Sequence, residues 1–174
     1  MHLERITDAA HPMYQAALRL YADSFPPHEQ REAASQAEIL RQNAYHFDLI
    51  YDGECFVGML LYWEIGEWLY IEHFCTLPEL RGHGYGQRAL QLLQEMPLLL
   101  EIDPPGDEIS LRRKHFYERC GFVENPYPHV HPPYHRGNAG HRLVVLSRPT
   151  PLPQTDYDAF ARYLREVIMR DAFA

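Results

Sequence analysis

Apolar positions recur along the first half of the chain in two rhythms. Met13, Ala16, Ala17, Leu20 and Tyr21 repeat at helical spacing behind Asp8, a candidate N-cap, and Ser24-Phe25-Pro26-Pro27 stops the run. A short strand over residues 3–7 precedes this helix. A second helix is predicted over 29–42, with Ala33, Ala37 and Leu40 on one side and Glu29, Arg31, Glu32 and Glu38 as a solvated face. The period then changes to two. Tyr45, Phe47, Leu49 and Tyr51 alternate and end at Asp52-Gly53, a hairpin signal. Residues 55–63 are apolar on both parities, as in a strand covered on both faces. Ile65-Gly66-Glu67 turns the chain into a further strand over 68–76, completing an antiparallel meander.

The second half reads as alternating elements. Ala89, Leu92, Leu93 and Met96 give a helix over 87–96, and Leu98 to Ile102 is a buried strand. Strand, helix and strand in succession imply a parallel crossover. A helix over 108–120 comes next, with Ile109, Phe116 and Cys120 on its apolar side and Gly121 at its stop. Phe122-Val123 starts another strand. Residues 125–140, rich in Pro, His and Tyr, read as an irregular arm. The last strand covers 141–147. A final helix, about 155–171, has Thr155 as its cap and an apolar stripe of Phe160, Tyr163, Leu164, Val167 and Ile168 that must dock on the body. The pattern predicts an α/β fold in one domain over 1–174, its core at about 3–147.

Between the strand over 68–76 and the helix lies Arg81-Gly82-His83-Gly84-Tyr85-Gly86. Alternating glycines let a backbone approach a ligand closely, and the free N–H groups of such a loop and the first helical turn attract phosphate. A dinucleotide fold wants Gly-x-Gly-x-x-Gly. Glu101 and Asp103, about 20 residues on, stand where a ribose-binding acid would sit, so spacing leaves that reading open. A nucleotide-hydrolysing loop wants Gly-Lys-Ser/Thr, but Gln87 and Arg88 come after Gly86.

Composition narrows the field. The chain has 174 residues and a net charge of −8, which argues against a general nucleic-acid binder and is compatible with cationic acceptors. Cys55, Cys75 and Cys120 are an odd number in apolar settings, as in a reducing cytoplasm. The first residues carry no apolar signal region, and no apolar run approaches membrane-spanning length.

The loop fits Arg/Gln-x-x-Gly-x-Gly/Ala, with Arg81, Gly84 and Gly86 at its fixed positions, and so resembles the pyrophosphate loop of the GNAT N-acetyltransferases. Phe116-Tyr117-Glu118, with Gly121-Phe122 after it, resembles the second signature of that family. Both motifs stand in the family's order, over roughly residues 3–147. Tyr70-Ile-Glu-His-Phe74 and Pro132-Pro133-Tyr134 resemble elements of a bacterial subgroup. The resemblance implies the GNAT fold, a mixed sheet whose parallel strand pair splays apart, and acetyl transfer from acetyl-CoA to an amine by direct attack. The open strand edge at Phe74, Cys75 and Thr76 would pair with the pantetheine arm. The loop from Arg81 through Gly82, His83, Gly84, Tyr85 and Gly86 to Gln87 would hold the pyrophosphate, with Gly84 and Gly86 where side chains would collide with it.

Tyr117 stands where family members keep the acid for the departing thiolate; a phenol, with an ordinary pKa of about 10, is protonated near neutrality. Glu72 interrupts an apolar strand and is the candidate base, or else a carboxylate that orients the acceptor or pairs with a cation. By strand alternation, His73 faces away from it. Glu101 is a second polar group for the cleft, and Tyr127, His131, Tyr134 and His135 would wall the acceptor. Arg112, Arg113 and Lys114 lie near the expected nucleotide path. His129, His131 and His135 lack a standard metal spacing, and no metal is assigned. A small amine is favoured over a protein acceptor, in a cytoplasmic monomer or homodimer. The reading from another class is a non-catalytic acyl-CoA-binding sensor or structural module.

Overall fold

The structure, a computed structural model, describes residues 1–172. β1 (His2–Ile6) leads into α1 (Tyr14–Ser24), a 3₁₀ turn (Pro27–Glu29) and α2 (Ala33–Ile39). The meander is β2 (Tyr45–Asp52), β3 (Cys55–Ile65) and β4 (Trp68–Thr76). Then come α3 (Tyr85–Gln91), β5 (Leu98–Ile102), α4 (Glu108–Arg119), β6 (Val123–Glu124), β7 (His129–His131) and β8 (His141–Arg148). The chain ends in α5 (Gln154–Tyr163), which runs into a π-helical turn (Leu164–Ile168). All eight strands form one mixed sheet in the order β1-β2-β3-β4-β5-β8-β6, with β7 added on β8. Among the described residues only β4 and β5 pair in parallel, joined by α3 as the crossover.

Helices cover both faces. On one, α1, α2, α5 and the π turn bury Tyr14, Leu20, Ile39, Phe160, Leu164 and Ile168 against Phe47, Leu61, Trp63 and Tyr70. On the other, α3 and α4 bury Ala89, Leu90 and Tyr117 against Leu60, Ile71 and Leu100. Burial on both faces explains why β3 is apolar on both parities.

Several local expectations need correction. The second helix does not run from 29 to 42. Gln30 and Glu32 are extended, which breaks the segment and turns Arg31 inward to 4 % exposure, away from the solvated face its polar neighbours suggested. Asp8 does not cap α1; its carboxylate accepts a hydrogen bond from the Ala10 N–H at 2.7 Å. Thr155 lies inside α5, whose N-cap is Pro153. α3 ends at Gln91, leaving Leu92 and Met96 exposed. Ile109 is exposed as well. The arm over 125–140 is not wholly irregular: His129, Val130 and His131 pair with Leu143, Arg142 and His141.

Two irregularities shape β4. Its parallel pairing with β5 ends at Ile71 opposite Leu100, while its pairing with β3 continues to Thr76 opposite Gly58. Beyond Ile71 the two parallel strands part. The register against β3 also slips, Leu61 facing His73 and Tyr62 facing Ile71, which leaves Glu72 as the extra residue of a β-bulge. Tyr70 and Phe74, four residues apart, therefore pack into opposite cores.

Gly58 lets β3 and β4 meet at the splay. A Cβ there would sit 2.2 Å from the Cys75 carbonyl oxygen and 2.8 Å from the Thr76 Cα. Both obstacles are backbone, so Gly58→Ala is expected to cost about 1–3 kcal/mol of stability. Denaturant melts of wild type and variant check this.

Candidate active site

The parting of β4 and β5 opens a cavity of about 650 Å³. It extends from the glycine loop past Phe74, Cys75, Thr76 and Tyr117 to Glu72, Glu101, His131 and Tyr134. Of the residues singled out in the sequence, Arg81, Gly82, Gly84, Tyr85, Gly86 and Gln87 also line it. His83 does not; its exposed ring lies 3.0 Å from the Arg81 carbonyl. Tyr127 also lies outside, with its hydroxyl on the Leu152 carbonyl at 2.6 Å and its ring stacked on Tyr157. Periodicity gave no means of separating it from the arm's inward aromatics.

At the loop, Gly84 has φ 79°, a left-handed conformation suited to glycine, and serves as the N-cap of α3. Gly86 is constrained by packing: a Cβ there would lie 3.1 Å from the Phe116 ring and 3.6 Å from that of Phe74. Beyond the loop, the β4 edge from Glu72 to Thr76 has no β5 partner, which leaves backbone groups for an extended ligand to pair with.

Tyr117 is 8 % exposed, packed edge-on against Phe116 and Phe122. Burial pushes its pKa up to about 12, so the phenol keeps its proton at neutral pH. Cys75 is likewise a neutral thiol, pushed up to about 11 by burial. Arg113 lines the cavity but pairs with Asp103 at 2.8 Å; Lys114 turns to Glu124 at 2.6 Å.

Glu72 is held from three sides. Its carboxylate accepts from the Arg31 Nη2 at 3.1 Å, the Trp63 Nε1 at 2.7 Å and the Tyr134 hydroxyl at 2.9 Å. Burial works to raise its pKa, but Arg31, His73 and these hydrogen bonds more than offset it and hold it at about 2. A carboxylate so firmly charged is a poor proton acceptor near neutrality, so of the roles open to Glu72 this geometry favours pairing with a cation. That cation, Arg31, was missed in the sequence because its polar neighbours made it look like surface. His73 was missed as well. The bulge puts it on the same face as Glu72, where it lines the cavity and packs against Tyr21, Phe25 and Tyr134.

Glu101 is buried and accepts from the Tyr70 hydroxyl at 2.5 Å and from the His129 Nε2. Burial acts to raise its pKa; the histidines and Tyr70 outweigh this and lower it. The arm's three histidines do not converge. His135 instead bonds Glu32 and the Pro27 carbonyl. Among the described residues, the group with ligand atoms close together is His28, Glu29 and His141, at the cavity's edge.

A profile of the Acetyltransferase (GNAT) family matches residues 10–122. The chain belongs to the GNAT acetyltransferase family. A GNAT-family protein of Bacteroides thetaiotaomicron has the same architecture, with a TM-score of 0.91 and 31 % identity over 97 % of this chain and 98 % of that one. The ribosomal-protein-S18-alanine N-acetyltransferase of Escherichia coli shares the fold at a TM-score of 0.57 and 13 % identity, over 87 % of this chain and 95 % of that one. An aminoglycoside 6′-N-acetyltransferase complexed with coenzyme A shares it at 0.55 and 15 %, over 87 % and 99 %. A search of curated sequences finds no significant match. Within this GNAT fold, no helix among the described residues is long and apolar enough to cross a membrane.

The Arg31–Glu72 pair makes the site's foundation testable. Glu72→Gln leaves the Arg31 charge buried and uncompensated, and is expected to cost about 3–5 kcal/mol in denaturant melts. Because the folded pKa of Glu72 is depressed, its stabilising contribution is present above the unfolded value near 4.5 and is lost as pH falls towards 2. Acid titration of stability should show that loss in wild type and lack it in Glu72→Gln.

Proposed function

We propose that this protein transfers an acetyl group from acetyl-CoA to a small primary amine by direct attack. The observation that carries the reading is one continuous cavity. It joins the glycine loop and the open β4 edge to a buried phenol and then to a polar chamber. Family membership supports acetyl transfer; the donor, the acceptor class and the residue roles are our assignments.

Arg81, Gly82, Gly84, Tyr85, Gly86 and Gln87 would hold the pyrophosphate, through backbone N–H groups at the start of α3. Phe74, Cys75 and Thr76 would pair with the pantetheine arm as an added strand does. Acetyl-CoA supplies the activated acetyl thioester. One ammonium and one thioester yield one amide, one thiol and one proton. Tyr117 gives its hydroxyl proton to sulfur as the C–S bond breaks, and the phenolate recovers a proton from the newly acylated nitrogen. The protonated Cys75 thiol is no nucleophile, in keeping with direct attack. Glu72 holds Arg31, Trp63 and Tyr134 in place at the acceptor end, an anchoring role in preference to that of base.

A small acceptor is favoured over a protein because the inner end is walled by Phe25, His73, Tyr134 and the Pro132-Pro133 segment of the arm. Gln87, Tyr134 and Glu101 face the same space from three different segments.

Calorimetric titration with acetyl-CoA tests the donor. Wild type is expected to bind in the micromolar range and Gly84→Asp to lose binding. The variant's Cβ meets nothing within 4 Å, but Gly84 has a left-handed φ, so the loss combines backbone strain in the loop with repulsion of the ligand's charge. Tyr117→Phe should bind acetyl-CoA normally and lose about 10²-fold or more in kcat, read as thiol release with an accepted amine. No binding in wild type would sink the donor assignment. Binding with no turnover, and no effect of Tyr117→Phe, would instead favour an acyl-CoA sensor.

A further inference from the structure

Two histidines reach the inner end of the cavity, and each has one ring nitrogen tied to a backbone carbonyl. His131 Nδ1 lies 2.5 Å from the Pro132 carbonyl oxygen, and His73 Nε2 lies 2.9 Å from that of Glu29. A carbonyl only accepts, so those nitrogens carry the protons. In the neutral ring, His131 Nε2 and His73 Nδ1 are then bare lone pairs. Both are buried and have no hydrogen-bond partner among the described residues. The two residues are 3 % and 5 % exposed, and their ring centroids lie 4.9 and 5.7 Å from that of Tyr134.

His131 Nε2 also faces the Glu101 Oε2 at 3.9 Å. At that separation no donor fits in line between the two acceptors, one of them charged; a group rich in N–H would reach both from the cavity side, as the apex of a triangle. Buried acceptors are seldom left unsatisfied, so a site built this way is complementary to a group rich in N–H. Tyr70 holds Glu101 at Oε2 and His129 holds it at Oε1, which leaves each oxygen a further lone pair for a donor.

We propose that this inner end is a subsite for the acceptor's ammonium group, and that His131, through Nε2, is the base that removes its proton, with Glu101 stabilising the imidazolium so formed. The proposal rests on the acetyl-transfer reading above and adds the proton acceptor that Glu72 is too firmly charged to be. In the step, one N–H bond of the ammonium breaks and its electron pair stays on nitrogen as the attacking lone pair. One N–H bond forms on Nε2, and the imidazolium later releases that proton to solvent. The titratable groups around His131 are Glu101 on β5, Tyr70 and His73 on β4, His129 on its own strand, His141 opposite it on β8, and Tyr134 of the arm.

The test has three arms. Calorimetry with acetyl-CoA on wild type and His131→Asn comes first; equal binding is expected, and absence of binding in wild type counts against the acetyl-transfer reading and not against the subsite. Asparagine keeps a donor near the Nδ1 position for the Pro132 carbonyl and removes Nε2, so the arm's fold is preserved. Second, thiol release is measured with tyramine, putrescine, spermidine and an aminoglycoside against pH. His131→Asn is expected to lose about 10²-fold in kcat/KM near neutrality. Its remaining rate should track the fraction of neutral amine, rising tenfold per pH unit, a dependence wild type is expected not to follow. An unchanged rate and profile would overturn the proposal. Third, the long-range proton–nitrogen spectrum of ¹⁵N-labelled protein at pH 8 reads the tautomer without turnover. His131 protonated on Nδ1 and bare on Nε2 supports the proposal; protonation on Nε2 overturns it, whether or not any amine of the panel is turned over.

Discussion

The ion pair between Arg31 and Glu72 is the interaction on which the rest of the site depends. Each side chain is 1 % exposed, and neither charge would be tolerated there alone. The guanidinium reaches Glu72 on β4, the Ile168 carbonyl at 2.9 Å and the Ser35 hydroxyl at 3.4 Å, while the Arg31 backbone N–H donates to the Tyr21 hydroxyl. Tyr134 lies under the same cation and donates to the same carboxylate. One buried charge thus ties α1, α2, β4, the π-helical turn and the arm together. Replacing such a pair by apolar groups often costs little, so its value here lies in position: it fixes five segments around one end of the cavity.

The bulge at Glu72 makes that convergence possible. With unbroken alternation, Glu72 and His73 would face opposite cores. The extra residue puts both on the face shared with Trp63, Tyr134 and Arg31, and it reverses the parity of the strand beyond it. Phe74 consequently turns towards Gly86 and Phe116 at the glycine loop. The same slip that gathers polar groups at the inner end therefore supplies the apolar floor next to the loop. The parting of β4 from β5 begins at the same point, since the paired register ends at Ile71.

How much was legible in the sequence depends on the range of the physics involved. β4 and β5 match their expected bounds because period, length and flanking turns are local signals. The glycine loop was legible because Gly84 answers a local demand, a left-handed φ at the start of α3. Arg31 was not legible, because its burial is decided by partners 41 and 137 residues away. Its local setting, among Glu29, Glu32 and Gln30, reads as surface. His73 was misread for a related reason: a bulge is a property of two strands, and one strand's alternation carries no trace of it. Tyr127 and Tyr134 are equivalent in composition and spacing, yet one bonds the Leu152 carbonyl and the other faces the cavity.

The distribution of charge explains why the proton acceptor should lie off the strand that carries Glu72. A carboxylate next to a buried guanidinium is locked in its charged form, which suits an anchor and defeats a base. Glu101, one strand over, is partnered among the described residues by a phenol and imidazoles and not by arginine. Burial lowers the pKa of His73, so its ring stays neutral and able to accept. Two of the cavity's carboxylates, Glu72 and Glu101, thus differ in the identity of their buried partners. Arginine locks Glu72 in its charged form, whereas Glu101 is held by histidine and a phenol, the setting on which the proposed proton acceptor depends.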